Sequence, residues 1–251
     1  MKNTVCIVMP AFNSEETISK TFFDIPESYR SNVIVVDDAS SDKTVKVATA
    51  LDCTVIKHET NRGYGANQKT CYREALAKDA NFIVMLHPDY QYDSRVIGAM
   101  VQILELGICD IVLGNRIRNR KESLKGGMPL WKYLVNRFST FMENLLLGQT
   151  LGDFHSGLRA YTREVLSTVP FELNSDSFLF DQQMLLQAIS MNYRLGDIPV
   201  PVRYFQDSSS IGLKESIKYG LGTSLNIIYF FLHKWKIKRN SIFVKKIQSQ
   251  L

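Results

Sequence analysis

Asp89 and Gln91, in the run His87-Pro88-Asp89-Tyr90-Gln91, are well suited to holding a hard divalent cation. Such an ion, Mg2+ or Mn2+, prefers oxygen ligands and keeps positions open for substrate phosphates. A carboxylate and an amide oxygen two residues apart offer it two donors, and His87 adds a nitrogen or a hydrogen bond. An ion held there would neutralise a diphosphate leaving group. The same five residues also suit an ordinary polar turn.

Three other groups could serve the same chemistry. Asp37-Asp38, followed by Ala39-Ser40-Ser41-Asp42, offers carboxylates that can reach a ribose or a base NH. An Asx-turn leading into a helix N-cap fits that run too. Arg116 and Arg159 carry the planar fork that grips phosphate oxygens, although a lone arginine also makes surface ion pairs. Asn61-Arg62-Gly63-Tyr64-Gly65-Ala66-Asn67 permits close backbone approach before a helix. It lacks the lysine and hydroxyl of a P-loop, which argues against kinase or ATPase chemistry. No G-x-S-x-G elbow supports a serine hydrolase.

These residues need a frame that brings them to one rim. Val5 to Met9, Val33 to Val36, Thr54 to Ile56, Phe82 to Leu86 and Ile111 to Leu113 read as short apolar strands, with a further one from Gly196 to Tyr204. Helical stretches fall between them: from Ser14-Glu15-Glu16, from Asp42 to about Leu51, and from Asn67 to Lys78. This alternation predicts an α/β fold with a mostly parallel central sheet and helices on both faces. Ligands of such sheets bind beyond the carboxyl ends of the strands, which sets Asp37, Asp38, Asp89 and Arg116 along one rim. Further on, Lys121 to Met128 reads as a loop, Pro129 to Leu147 as a long helix, Gly152 to Tyr161 as a polar, glycine-bearing segment, and Phe178 to Met191 as a helix.

The 251 residues, 45% of them hydrophobic, suffice for one large domain. A net charge of +5 is too mild to argue for nucleic acid, and no basic-aromatic recognition motif occurs. Cys6, Cys53, Cys71 and Cys109 are scattered, which fits neither a zinc cluster nor a disulfide framework and suits a reducing, cytoplasmic setting. The N-terminus runs directly into a strand, so no signal peptide is expected. No apolar run reaches the roughly 18 residues of a membrane span. The tail, apolar and aromatic from Leu225 to Leu232 and then basic at Lys234, Lys236, Lys238, Arg239, Lys245 and Lys246, suits a segment lying on an anionic membrane surface. A C-terminal helix packed on the domain, with a solvated basic end, fits it equally.

Taken in order, these segments resemble the family 2 glycosyltransferases, which have the GT-A fold. Val8-Met9-Pro10-Ala11-Phe12-Asn13 resembles their hPxYN opening, and Val35 to Asp42 resembles VDDxSxD. Gly114-Asn115-Arg116 resembles GSR, and Asp153 to Tyr161 resembles D-x-x-SG-x-RAY. The likeness runs from residue 5 to about 224 and is nearest the branch similar to dolichyl-phosphate mannose synthase. It implies an inverting enzyme that moves a sugar from a nucleotide-diphosphate sugar to a polyprenyl or dolichyl phosphate, or another lipid-linked acceptor, at the cytoplasmic face of a membrane. It implies Pro10, Ala11 and Phe12 along the base, Asp38 on the base or ribose, and Asp89 and Gln91 on Mg2+ or Mn2+ with His87 beside them. Arg116 and Arg159 would hold phosphates of the donor or of a lipid-phosphate acceptor. Residues 1–224 would form the GT-A domain, with a nucleotide-binding half to about 117 and an acceptor half from 118, and 225–251 an amphipathic basic C-terminal segment.

A phosphate acceptor is already anionic and needs no strong base; a hydroxyl acceptor would need one. Asp181, in Phe178-Leu179-Phe180-Asp181-Gln182, is the candidate carboxylate, although a helix-start acid would look the same. Arg203 to Gly212, with Lys214 beyond, would close over the site. Two positions depart from the family pattern. His87 stands where its DxD has the first aspartate, leaving one charge fewer for the metal, and Ser14 stands where many members have glutamate. A sugar nucleotidyltransferase would open on a glycine- and arginine-rich loop, where this chain has Pro10-Ala11-Phe12-Asn13-Ser14. A non-catalytic sugar-nucleotide binding module is the other reading, kept open by His87.

Overall fold

The computed structural model describes residues 3–117, 119–125, 127–203 and 213–246. Its strands are β1 (Val5–Ala11), β2 (Val33–Asp37), β3 (Thr54–Lys57), β4 (Phe82–Leu86), β5 (Ile111–Asn115), β6 (Leu158–Thr162) and β7 (Leu195–Pro199). The helices are α1 (Ile18–Asp24), α2 (Glu27–Arg30), α3 (Thr44–Thr49), α4 (Tyr64–Ala77), α5 (Ile97–Glu105), α6 (Arg120–Lys125), α7 (Leu130–Leu147), α8 (Arg163–Thr168), α9 (Phe180–Ser190) and α10 (Leu213–Lys234).

One seven-stranded sheet results, in the order β3-β2-β1-β4-β6-β5-β7. Every pairing is parallel except those of β6, which runs antiparallel between β4 and β5. The sheet is thus mostly parallel, as the alternation predicts. β1, β2 and β4 are buried along their whole length, which accounts for their unbroken apolar runs. Alternate side chains feed two cores. Val8, Val36 and Met85 pack toward α4, α8 and α9, while Ile7, Val35 and Val84 pack toward α1, α3 and α5.

β6 escapes the sequence reading. It lies within the segment read as polar, because one face of the strand carries Arg159 and Tyr161 where apolar residues would signal burial. α6 forms where a loop was read. α10 runs unbroken through residue 225, so the division at 224 falls inside a helix. Of the segment expected to close over the site, residues 204–212 lie outside the described residues, as does the side chain of Lys214.

Candidate active site

The rim at the carboxyl ends of the strands is marked by backbone strain. Asn13, Ala39 and Tyr90, none of them glycine, sit in the left-handed region at φ 48°, 59° and 58°, just past β1, β2 and β4. Such conformations cost of order 1–2 kcal/mol each and persist where surrounding bonds enforce them. Here the Asn13 amide donates to Ser40 Oγ (2.8 Å), and the Ser41 amide donates to Asn13 Oδ1 (2.9 Å).

Of the residues expected along a base, Pro10 and Ala11 are buried in the sheet, whereas Phe12 is 51% exposed and free to stack on a planar ring. Asp38 is turned inward. Its Oδ1 accepts from the Arg62 amide (2.9 Å) and lies 2.7 Å from His58 Nδ1, and its Oδ2 accepts from the Gly63 amide (2.9 Å). Both oxygens take part in ordering the loop before α4. Asp37 Oδ2 accepts from the Ser40 amide, while the buried Oδ1 has no partner among the described residues.

The glycines of that loop also serve the chain itself. A Cβ on Gly63, whose φ is +97°, would stand 2.7 Å from the Asp176 carbonyl oxygen; one on Gly65 would stand 2.3 Å from that of Ser175. The close approach they allow is therefore to residues 175–176. Lys69 ties the same contact by donating to the Asp176 carboxylate (2.7 Å) and to the Asn174 carbonyl.

Asp89 and Gln91 form a tight turn past β4, in which the Gln91 amide donates to Asp89 Oδ1 (3.1 Å). The turn is clamped from outside: the Arg203 amide donates to the Gln91 carbonyl (2.8 Å), and its guanidinium lies 4.2 Å from the Tyr90 ring centre. His87 points into the protein. Its Nε2 is 2.9 Å from Tyr64 Oη, which donates to Asp181 Oδ2 (2.6 Å). Because Tyr64 has one proton and gives it to Asp181, His87 must donate through Nε2–H, leaving Nδ1 with the lone pair. Burial pushes the His87 pKa down, outweighing Asp89 and Asp181, so the ring is neutral near pH 7. Burial and the Asp181 charge hold Tyr64 well above the usual tyrosine value, so it keeps its proton. Gly157 makes room for the imidazole: a Cβ there would lie 2.3 Å from His87 Cδ2.

Asp181 is fully engaged, since Gln68 Nε2 donates to its Oδ1 (3.0 Å). Tyr64 and Gln68, four apart on α4, present one polar face to it. Arg159 lies behind Asp181, fully buried. It donates to the carbonyls of Ser156 (2.8 Å), Asp181 (2.8 Å) and Phe154 (3.1 Å), with its Nη2 3.7 Å from the Asp181 carboxylate. So enclosed, the guanidinium braces Asp181 and the 154–156 segment in this structure. Arg116 stays at the rim, its side chain 17% exposed, with Nε donating to the buried Asp153 (2.7 Å) and Nη2 to the His155 carbonyl (2.8 Å). Burial alone would raise the Asp153 pKa, but Arg116, His155 and Asn136 bring it down to about 2. Burial would depress His155, yet the Glu143 carboxylate at 3.2 Å and Asp153 raise it overall. Tyr64, Gln68, Asp153 and His155 were not singled out individually in the sequence, although all but Gln68 lie in the motifs quoted. For the first two, the missed signal is the true start of α4 at Tyr64, one turn before the predicted one.

Among the described residues, no group of three or more His, Cys, Asp or Glu side chains could enclose an ion. A hard cation held by Asp89 and Gln91 would therefore need phosphate and water oxygens for the rest of its ligands. His87 could join only through Nδ1, because Nε2 is committed to Tyr64.

The sequence profile of glycosyl transferase family 2 matches residues 6–169. The chain is 27% identical to a UDP-N-acetylglucosamine–dolichyl-phosphate N-acetylglucosaminyltransferase of Methanococcus voltae, over 86% of this chain and 92% of that one. It is 27% identical to a dolichyl-phosphate hexose transferase of Haloferax volcanii, over 79% and 82%. An uncharacterized protein of Methanocaldococcus jannaschii is 30% identical over 84% and 86%. The fold matches that of glucosyl-3-phosphoglycerate synthase from Mycobacterium tuberculosis, solved with Mn2+, UDP and glucosyl-3-phosphoglycerate, with a TM-score of 0.67 at 20% identity over 95% and 82%. The sheet is that of the GT-A fold, and the chain belongs to glycosyl transferase family 2.

Proposed function

We propose that this glycosyltransferase moves a sugar, with inversion, from a nucleotide-diphosphate sugar to a lipid-linked phosphate at a membrane surface. The observation that carries the acceptor class is the reversed polarity of α7. A helix of a water-soluble domain turns its apolar stripe inward. α7 buries Thr140 and Glu143 and leaves Leu134, Val135, Phe138, Phe141 and Leu145 from 56% to 67% exposed. α10 repeats the pattern in its first half, with Leu221, Leu225 and Ile228 outward and Thr223 and Asn226 inward, before Phe230 enters the core. Each such residue forgoes roughly 1.5–3 kcal/mol of burial in water, so two apolar stripes call for an apolar counterpart. Both helices connect to the site: Asn136 donates to Asp153 (3.1 Å), and Tyr219 Oη lies 3.0 Å from His155 Nδ1. No described helix is long and apolar enough to cross a membrane, so contact along the helix sides suits this geometry. Two relatives named for dolichyl phosphate support the same acceptor.

In this reading Phe12 stacks on the base, and Asp89 and Gln91 hold Mg2+ or Mn2+ against the donor diphosphate. A bound divalent ion supplies charge neutralisation at the leaving group. Arg116 contributes positive charge at the rim for a donor or acceptor phosphate. Asp181 keeps its place through Tyr64 and Gln68; with both oxygens occupied it is poorly available as a base, which suits an acceptor that is already anionic. Incubation with labelled nucleotide-sugars and Mn2+ tests the acceptor, with a polyprenyl phosphate in one arm and 3-phosphoglycerate in the other. Label entering the organic phase in the first arm supports the lipid reading; label found only in the water-soluble product of the second overturns it.

A further inference from the structure

At the far end of α10 the chain folds back on itself. The Lys236 amide donates to the His233 carbonyl and that of Ile237 to Leu232, with Lys236 in the left-handed region at φ 59°. The Asn240 amide donates to His233 Nδ1 (3.1 Å), and Phe243 is buried against Phe230 and His233. Gln187 seals the return by donating to the Ile242 carbonyl (2.8 Å). The basic tail is therefore a shaped element docked on the domain.

A cleft of about 710 Å³ opens beside this turn, with Gln149, Tyr193, His233, Lys234, Lys236 and Arg239 on its polar walls and Leu147 and Phe230 among its apolar lining. Arg239 also lines a second cleft, of about 310 Å³, which includes Lys238. Among the described residues, no carboxylate lies within ion-pair distance of any of these bases. Trp235 and Ile237, interleaved with the lysines, are 64% and 68% exposed. The cleft abuts Tyr193, just before the amino end of β7, whereas the candidate active site lies at the carboxyl ends. Tyr219, which reaches His155, is fifteen residues from Lys234 along α10, or roughly 22 Å at the helical rise. The cleft is thus separate from the Asp89 rim.

We infer that this cleft binds the phosphate headgroup of an anionic phospholipid. Lys234, Lys236 and Arg239 line it with no carboxylate partner among the described residues, its apolar walls suit the start of acyl chains, and the neighbouring Trp235 and Ile237 expose aromatic and aliphatic side chains of the kind that enter a bilayer interface. Headgroup capture here would lay α10 and α7 along the membrane, with the rim at its surface. The proposal concerns the bulk lipid and does not depend on which acceptor takes the sugar.

The full-length protein is mixed with vesicles of phosphatidylcholine alone or with added phosphatidylglycerol, and sedimentation is compared for wild type, Lys236→Asn/Arg239→Ala and Lys20→Ala/Lys46→Ala. The last pair lies on the α1 and α3 side and removes the same charge. Asparagine tolerates the left-handed backbone at position 236, and an unchanged melting temperature checks that the variant is folded. At about fivefold per base, the cleft variant should lose roughly 25-fold in partition to anionic vesicles, while the control pair stays close to wild type. Trp235 fluorescence, read in Trp131→Phe, should shift blue on anionic vesicles and stay unmoved by glycerol phosphate. Equal losses in the two double variants, or no preference for anionic vesicles, would overturn the proposal. Saturable binding of glycerol phosphate as strong as that of vesicles would also overturn it, identifying a free phosphate as the occupant.

Discussion

Asp89 is the one carboxylate of the HPDYQ turn, and its substitution separates chemistry from folding. It is partly exposed and among the described residues its carboxylate accepts a hydrogen bond within its own turn, so Asp89→Ala should abolish transfer and move the melting temperature little. Tyr64→Phe has a different signature. It removes the hydroxyl that links His87 to Asp181, leaving buried groups without a partner, at about 1–3 kcal/mol in urea unfolding together with a loss of turnover. Gly157→Ala pushes a methyl into the His87 ring and should cost about 1–3 kcal/mol. The HPDYQ turn could be picked out of the sequence as a rim turn because polar residues directly follow an apolar strand. The inward chain from His87 through Tyr64 to Asp181 could not, because it joins residues up to 117 apart that only the closed sheet brings together.

At the scale of elements, the buried polar joint between β5, α7 and the 152–157 segment couples the fold to pH. Asp153 titrates at about 2 when folded, against an ordinary 3.8, so its stabilising contribution is present above about pH 4 and is lost as the pH falls through about 2. His155 is raised when folded, so its contribution is complete below its ordinary 6.5 and is lost as the pH rises through the raised value. Stability measured against pH should therefore decline on both sides, and His155→Gln should remove the alkaline decline while sparing the acid one. Arg116→Ala leaves Asp153 buried without its partner and should cost about 3–5 kcal/mol. β1, β2, β4 and β5 were legible from their apolar runs, and α7 from its period. β6 was not, because a buried arginine bonded to backbone carbonyls looks in sequence like a surface residue. Arg159 was read as a phosphate clamp for the same reason.

Over the whole molecule, the carboxyl ends of the strands form the candidate rim, while α7 and α10 carry exposed apolar side chains along their flanks. Sequence period located α7, but which stripe faces inward depends on the packing of Glu143 against Gln182 and His155, which no local pattern reveals. Phe138→Glu with Leu145→Glu should weaken vesicle binding without unfolding the chain, since both side chains are exposed. The most direct test of the central claim is a transfer assay with a nucleotide-sugar, a polyprenyl phosphate and Mn2+, run on wild type and Asp89→Ala and repeated with a chelator. Labelled lipid formed by wild type and lost both in the variant and on chelation is the expected result. Undiminished transfer by Asp89→Ala, or no glycolipid from wild type with any nucleotide-sugar, would contradict it.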